Sequence, residues 1–222
     1  MIQIENLNYS VMDGESERKI LNNISAQIKS NSLTVVHGTS GSGKTTLLYA
    51  LSGMLDNIDS GKIVIDGTSL YALDASERDN FRLKNMGLVF QNFNLFPSMS
   101  IEENIFLPIY ANNQKPTAQQ KFKAKEFMGM LNLVDCVNKP IFKLSGGQQQ
   151  RVAIIRAFIT NPAIILCDEP TANLDVENSK IFYSYLQKIS KAEDCAIVVV
   201  SHDTMALEYC DDRIKIIDGK II

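Results

Sequence analysis

The sequence lacks paired cysteines. Cys136, Cys167, Cys195 and Cys210 are widely spaced and form no C-x-x-C pair. Metal and disulfide readings are therefore weak, and reduced thiols in the core or at the surface are expected. Long apolar runs are also missing. The longest, residues 195–200, has strand length, far short of the roughly 18–20 residues of a membrane span. The start, Met1-Ile2-Gln3-Ile4-Glu5, alternates like a strand and has neither the basic opening nor the apolar middle of a signal peptide. A cytoplasmic location is expected, with any membrane role supplied through a partner. Basic excess is absent as well: the formal net charge is −3, so no nucleic-acid footprint is expected. There is no internal repeat, low-complexity tract or linker. What remains is a chain of 222 residues with 45% hydrophobic content, enough for one domain with a substantial core, or for two lobes.

Against that background stands Gly38-Thr39-Ser40-Gly41-Ser42-Gly43-Lys44-Thr45. It fits the phosphate-loop pattern G-x-x-x-x-G-K-[ST] at every fixed position. A lone match could be a glycine-rich turn. Here an apolar β-branched strand (residues 33–37) precedes it, and a helical stretch starting at Thr46, which Gly53 can end, follows it. In that context the glycines let consecutive N–H groups curl into an anion nest at a helix N-terminus. Lys44 can reach the β- and γ-phosphates, and the Thr45 hydroxyl can ligate Mg²⁺.

Strands alternating with helices predict an α/β fold with a largely parallel core sheet. Ser60-Gly61 and Asp66-Gly67 flank a short strand, residues 62–65, which reads as an antiparallel piece. A further apolar strand spans residues 86–90 and ends at Gln91. From about residue 98 to 138 strand signals vanish. Ser100-x-x-Glu103 and Thr117-x-x-Gln120 are capping-box candidates, each opening a helix of an inserted helical subdomain. Ser145 opens a helix to about residue 160, and Ile181, Tyr185 and Ile189 are expected on the core face of a later one. Asp218-Gly219 predicts a closing hairpin.

Two further motifs carry chemistry. Residues 164–167 form an apolar strand ending in Asp168 and Glu169. Alone, these read as two solvated acids at a strand end. Beside a phosphate loop, Asp168 can hold Mg²⁺ through its water shell, and Glu169 can activate the attacking water. The second is Leu144-Ser145-Gly146-Gly147-Gln148-Gln149-Gln150-Arg151. One reading is a serine N-cap followed by flexible glycines. The other is a second phosphate-binding helix end, with Ser145 as donor. One nucleotide does not easily reach both ends within one chain, and a head-to-tail dimer resolves this.

Taken in order, these motifs resemble those of the ATP-binding-cassette (ABC) ATPase subunits, over essentially the whole chain. The resemblance makes residues 38–45 the Walker A loop, with Thr46 beside it, and Gln91 the Q-loop glutamine. It makes residues 144–148 the LSGGQ signature, Asp168 and Glu169 the Walker B acid and catalytic glutamate, Asp175 the D-loop acid and His202 the switch histidine. It implies a P-loop NTPase (RecA-like) core with an N-terminal antiparallel β piece and an inserted α-helical subdomain. The implied single ABC ATPase domain covers residues 1–222, with core lobes 1–91 and 161–222 and a helical subdomain over 92–160. The implied catalytic set is Glu169, His202 and Gln91, with Thr45, Gln91 and Asp168 on Mg²⁺. Ser145 and Gly147 would bind the γ-phosphate of ATP across a homodimer, or a pair of cassettes, with Gly146 and Gln148 also at the nucleotide, and Asp175 would couple the two sites. One departure concerns the base. Family members usually stack the adenine on an aromatic residue near the N-terminus, a contact worth roughly 1–3 kcal/mol. That place falls on Val11, with Tyr9 two residues earlier, so either Val11 is the base contact and adenine is held weakly or less selectively, or Tyr9 shifts into the role. Thr39 also stands where proline is frequent.

Residues 89–97, then Glu102, Asn104, Leu107 and Pro108, then residues 170–175 resemble the MacB/LolD/FtsE subgroup. That implies an integral membrane permease partner with an extracytoplasmic domain, and work on a lipoprotein, peptide or antibiotic. The location implied is peripheral, on the inner face of the cell membrane. Phe93, Leu95 and Phe96 read equally as anchors for that partner and as packing of the helical lobe. A second reading keeps the ATPase and replaces transport with FtsE-like signalling. A third, a soluble ABC ATPase of repair or translation, is disfavoured by the missing coiled-coil insertion, second cassette and basic bias.

Overall fold

The computed structural model describes residues 1–14, 16–137, 139–192 and 195–222. Asn138, the expected end of the strand-free stretch, lies outside them. In chain order the strands are β1 (Ile2–Asp13), β2 (Ser16–Ile28), β3 (Leu33–His37), β4 (Ser60–Ile65), β5 (Thr68–Ser69) and β6 (Met86–Val89), followed by β7 (Ile164–Asp168), β8 (Ala196–Val200), β9 (Asp212–Ile217) and β10 (Lys220–Ile221). The helices are α1 (Lys44–Leu51), α2 (Ala75–Asn85), α3 (Ile101–Ala111), α4 (Ala118–Met130), α5 (Gly146–Phe158), α6 (Val176–Ala192) and α7 (Ala206–Tyr209).

The strands form two sheets. An antiparallel one has the order β2-β1-β4-β5, and a six-stranded one the order β10-β9-β3-β8-β7-β6. In the second, β9, β3, β8, β7 and β6 run parallel and only β10 turns back. Its central strands are apolar up to their ends, apart from the buried Thr34 of β3, because both faces are covered. Val35, Ile165, Cys167, Ile197 and Val199 face a cluster built with the helices α3 to α6. The alternate residues Val36, Ile164, Leu166, Val198 and Val200 face α1 and the antiparallel sheet. Among the described residues no helix is long and apolar enough to cross a membrane.

Both expected capping boxes are present, at Ser100/Glu103 and Thr117/Gln120. Asp74 and Glu77 form another that opens α2, and Ser145 and Gln148 one that opens α5. Each satisfies two N–H groups that a helix start would leave unpaired. Helix α6 differs from the expectation. Its core face is Phe182, Tyr183, Leu186 and Ile189, whereas Ile181 is exposed. The i, i+4, i+8 row through Ile181 drifts off the buried stripe, as a 3.6-residue period requires. Phe93 is buried and Leu95 packs on the core, while Phe96 is 48% exposed.

Helix α5 lies directly on β6. A Cβ added at Gly87 would stand 2.2 Å from the carbonyl oxygen of Ala157. Gly87→Ala must therefore push strand and helix apart, an overpacking cost of about 1–3 kcal/mol. Urea unfolding should show that loss. Gly129→Ala in α4, where an added Cβ meets nothing within 4 Å, should show none.

Candidate functional site

Four neighbouring parallel strands, in the order β3-β8-β7-β6, release their following loops at one edge of the sheet, the usual place for ligands in such folds. A hollow of about 850 Å³ opens there. Gly38, Thr39, Ser40, Gly41, Lys44 and Thr45 line it from the loop after β3, Gln91 from the loop after β6, Glu169 from that after β7 and His202 from that after β8. A smaller hollow of about 260 Å³ adjoins it, sharing Gly41, Lys44 and Thr45 and adding Gly43, Thr46, Arg18 and Ile20. Ser42 lines neither of them, and its hydroxyl is buried without a hydrogen-bond partner among the described residues.

The loop needs its glycines at two points. Gly38 has φ 155°, and a Cβ there would lie 2.0 Å from the Ile216 carbonyl oxygen. Gly43 has φ 101° and would meet the Ile20 carbonyl at 2.8 Å. Both positions exclude a side chain on space and on backbone conformation. Lys44 folds across the loop, its Nζ donating to the carbonyls of Gly38 (3.1 Å) and Thr39 (2.9 Å). The surroundings are electropositive: burial, then Lys215, Arg213 and Lys44, hold the His37 imidazole below its ordinary range.

Of the two acids at the end of β7, Glu169 lines the larger hollow and Asp168 lines neither. The Thr45 hydroxyl donates to Asp168 Oδ1 at 3.1 Å. Burial raises the Asp168 carboxyl above the usual carboxylate range, opposed by the Thr45 hydrogen bond, reinforced by Glu169 and opposed again by Lys44. A hydroxyl and a desolvated carboxylate side by side are hard oxygen donors, and they fit a small divalent cation that takes its other ligands from phosphate and water. Glu169 has φ 44°, uncommon for a residue with a side chain. Its N–H continues the sheet to the Val200 carbonyl (2.9 Å), while its carboxylate meets His202 Nδ1 at 2.8 Å. A carboxylate only accepts, so Nδ1 carries the proton in this pair. Glu169 is 17% exposed and His202 69%.

Residues 145–148 are absent from the lining of either hollow, and so is Asp175. Ser145 Oγ accepts from the Gln148 N–H while the Gln148 side chain accepts from the Ser145 N–H. Asp175 caps α6 through the Asn178 N–H (2.8 Å), and Asn178 in turn accepts from Arg151 of α5 (2.8 Å). Val11 is exposed on β1 and also outside both linings. Tyr9, on β1 of the antiparallel sheet, is half-buried against the core.

Sequence reasoning did not find Tyr183. Its buried hydroxyl bonds Thr171 (2.9 Å) and reaches Ser201 (3.4 Å), joining the turn after Glu169 to the residue before His202. Only the tertiary packing of α6 brings these together. His37 and Lys215 of the hollow were missed too, although each lies near a strand end, and β3 pairs with β9 there. Tyr183→Phe keeps the ring and orphans a buried hydroxyl. A loss of about 1–3 kcal/mol of stability is expected, measurable by urea unfolding.

A sequence model of the ABC transporter family matches residues 21–172. The ABC transporter ATP-binding protein YxdL of Bacillus subtilis is 38% identical over 221 residues, covering 100% of this chain and 85% of that protein. The lipoprotein-releasing system ATP-binding protein LolD of Colwellia psychrerythraea is 33% identical over 221 residues, with coverage of 100% and 85%. Among solved structures, the dimeric bacterial ABC transporter cassette MJ0796 is similar at TM-score 0.90 and 33% identity, covering 100% of this chain and 96% of that one. Its dimeric post-hydrolysis state with ADP and Pi gives 0.89 at the same identity and coverage. The chain belongs to the ABC transporter family, and it is an ABC ATPase.

Proposed function

We propose that this chain is the ATP-hydrolysing subunit of a bacterial transporter of the LolD/MacB type. It drives export or extraction of a lipoprotein, peptide or antibiotic through a membrane permease with an extracytoplasmic domain. The observation that carries the reading is the Glu169–His202 contact inside the hollow that also holds Lys44 and Thr45. A base, its orienting group and a phosphate cradle share one space.

In this reading the chain acts as one domain, with core lobes 1–91 and 161–222 and a helical subdomain over 92–160. Phosphates dock on the N–H groups of residues 38–46, and Lys44 exchanges the loop carbonyls for the β- and γ-phosphate oxygens. Mg²⁺, held by Thr45, Asp168 and Gln91, would neutralise charge on the phosphates. Glu169 takes a proton from the attacking water as its oxygen bonds the γ-phosphorus and the bond to the β-phosphate oxygen breaks, leaving ADP and phosphate. His202 keeps the Glu169 carboxylate aimed and meets the γ-phosphate with its other ring nitrogen when protonated. Ser145, Gly146, Gly147 and Gln148 lie outside the hollow of their own chain, so a second chain supplies them, head to tail, and Asp175 lies at that junction. The relative MJ0796 is dimeric in both states, which supports this arrangement.

Glu169→Gln removes the base and leaves the phosphate cradle. Turnover should fall about 10²- to 10⁴-fold, with ATP binding retained. Light scattering should show that this variant dimerises with ATP; near-normal turnover, or a monomer at saturating ATP, would overturn the assignment. The transporter reading predicts that the tagged variant, purified with ATP from detergent-solubilised host membranes, brings an integral membrane protein with an extracytoplasmic domain. Recovery with ribosomes or nucleic acid alone would contradict it.

A further inference from the structure

The base end of the nucleotide site is built unusually. In the ATP-site reading, a nucleotide whose phosphates sit at the start of α1 extends its ribose and base toward the smaller hollow, which shares Gly41, Lys44 and Thr45 with the larger one. The opposite wall of the smaller hollow is β2, through Arg18 and Ile20. That wall is close, since the Ile20 carbonyl blocks any side chain at Gly43. Arg18 is the direct cross-strand partner of Val11, and directly paired residues share one face of a sheet. Val11 is too small to act as a stacking platform. Tyr9 pairs with Leu21, is half-buried against the core and lines neither hollow. Arg18 is exposed and makes no hydrogen bond or ion pair among the described residues.

We propose that Arg18 holds the nucleobase, its guanidinium plane lying on the base face in place of an aromatic ring, and that base selection is weak in consequence. This rests on the ATP-site reading above. A guanidinium is planar, weakly hydrated and stacks on rings, and every base offers a π face. Reading a base edge needs fixed donors and acceptors, and a site that has them rejects the wrong partner by about 10⁴-fold or more. Among the described residues, the smaller hollow has no carboxylate or carboxamide side chain on its walls. Ile20 contributes an aliphatic flank and no selectivity. Adenine and guanine triphosphates are therefore held alike.

Calorimetric titration of the whole chain with three ligands tests this: adenosine imidotriphosphate, guanosine imidotriphosphate and inorganic tripolyphosphate. The unsubstituted protein should bind the two nucleotides within about threefold of each other, as contact with a π face alone allows. Arg18→Ala should weaken both roughly tenfold, the scale of a partly desolvated cation–π contact, and leave tripolyphosphate unchanged. Arg18→Lys keeps the charge without the plane and should recover little. Unchanged nucleotide affinity in Arg18→Ala would overturn the proposal. So would a parallel loss of tripolyphosphate, which would make Arg18 a phosphate contact, or a preference for adenine above about a hundredfold, which needs a reader of the base edge. If the unsubstituted protein bound none of the three ligands, the nucleotide-site reading itself would fall, and this proposal with it. Binding that Arg18→Ala leaves intact removes only the latter.

Discussion

Burial of β3, β7 and β8 on both faces is the constraint from which the rest follows. A strand covered on both sides has no solvent-facing positions, so polar and charged residues are expelled to its ends. That is where Asp168, Glu169 and His202 stand, the first closing β7 and the others just beyond β7 and β8. Parallel pairing then gathers these ends on one edge of the sheet, next to the loop that leaves β3. The hollow is a result of topology before it is a result of side chains. The layers on either side, with α1 and the antiparallel sheet on one and α3 to α6 on the other, exist because those apolar faces must be covered.

Charges of opposite sign meet at this edge of the sheet. Lys44, Lys215 and Arg213 make one wall positive enough to depress the His37 imidazole, after burial has lowered it first. Behind Thr45, outside the lining itself, burial disfavours ionisation of Asp168. A bound polyphosphate suits the positive wall, and a positive charge near Thr45 would ease the buried acid. Lys44 and Asp168 each have few partners within the protein. Lys44 makes do with two carbonyls, and Asp168 with a hydroxyl.

What was legible in the sequence was what local pattern controls. The glycine spacing of residues 38–45 demands its own backbone shape, and the continuous apolar runs of β7 and β8 could only be strands buried on both sides. The serine, threonine and acidic caps lie within one helical turn of their partners, so Ser100 and Thr117 could be read directly. Long-range effects were not legible. Ile181 was misplaced because a row of four-residue steps drifts around a helix. Tyr183 is an ordinary aromatic in the sequence, and its bridge exists only once α6 packs under β7 and β8. The pairing of Arg18 with Val11 depends on register shifts between Ile4 and Ser10, which no alternation pattern foretells.

Helix α5 is where these parts become mechanically connected. At its start Ser145 and Gln148 close their capping box. One turn on, Arg151 grips Asn178, which the cap at Asp175 holds in turn. Further along, Arg156 sends its buried guanidinium to the carbonyls of Asn94 (2.6 Å) and Phe93 (2.5 Å), just past Gln91. Burial lowers the Arg156 pKa, yet an arginine stays charged in any such setting, so those carbonyls carry the solvation that water would otherwise supply. Freeing them would leave a buried charge uncompensated, at a cost of about 3–5 kcal/mol. Asn104 adds four hydrogen bonds over the next stretch, to Phe96, Met99 and Ser100. The segment after Gln91 therefore moves with α5 or not at all. A displacement at Gln91 therefore reaches α5 through Phe93 and Asn94 rather than being absorbed by a slack loop.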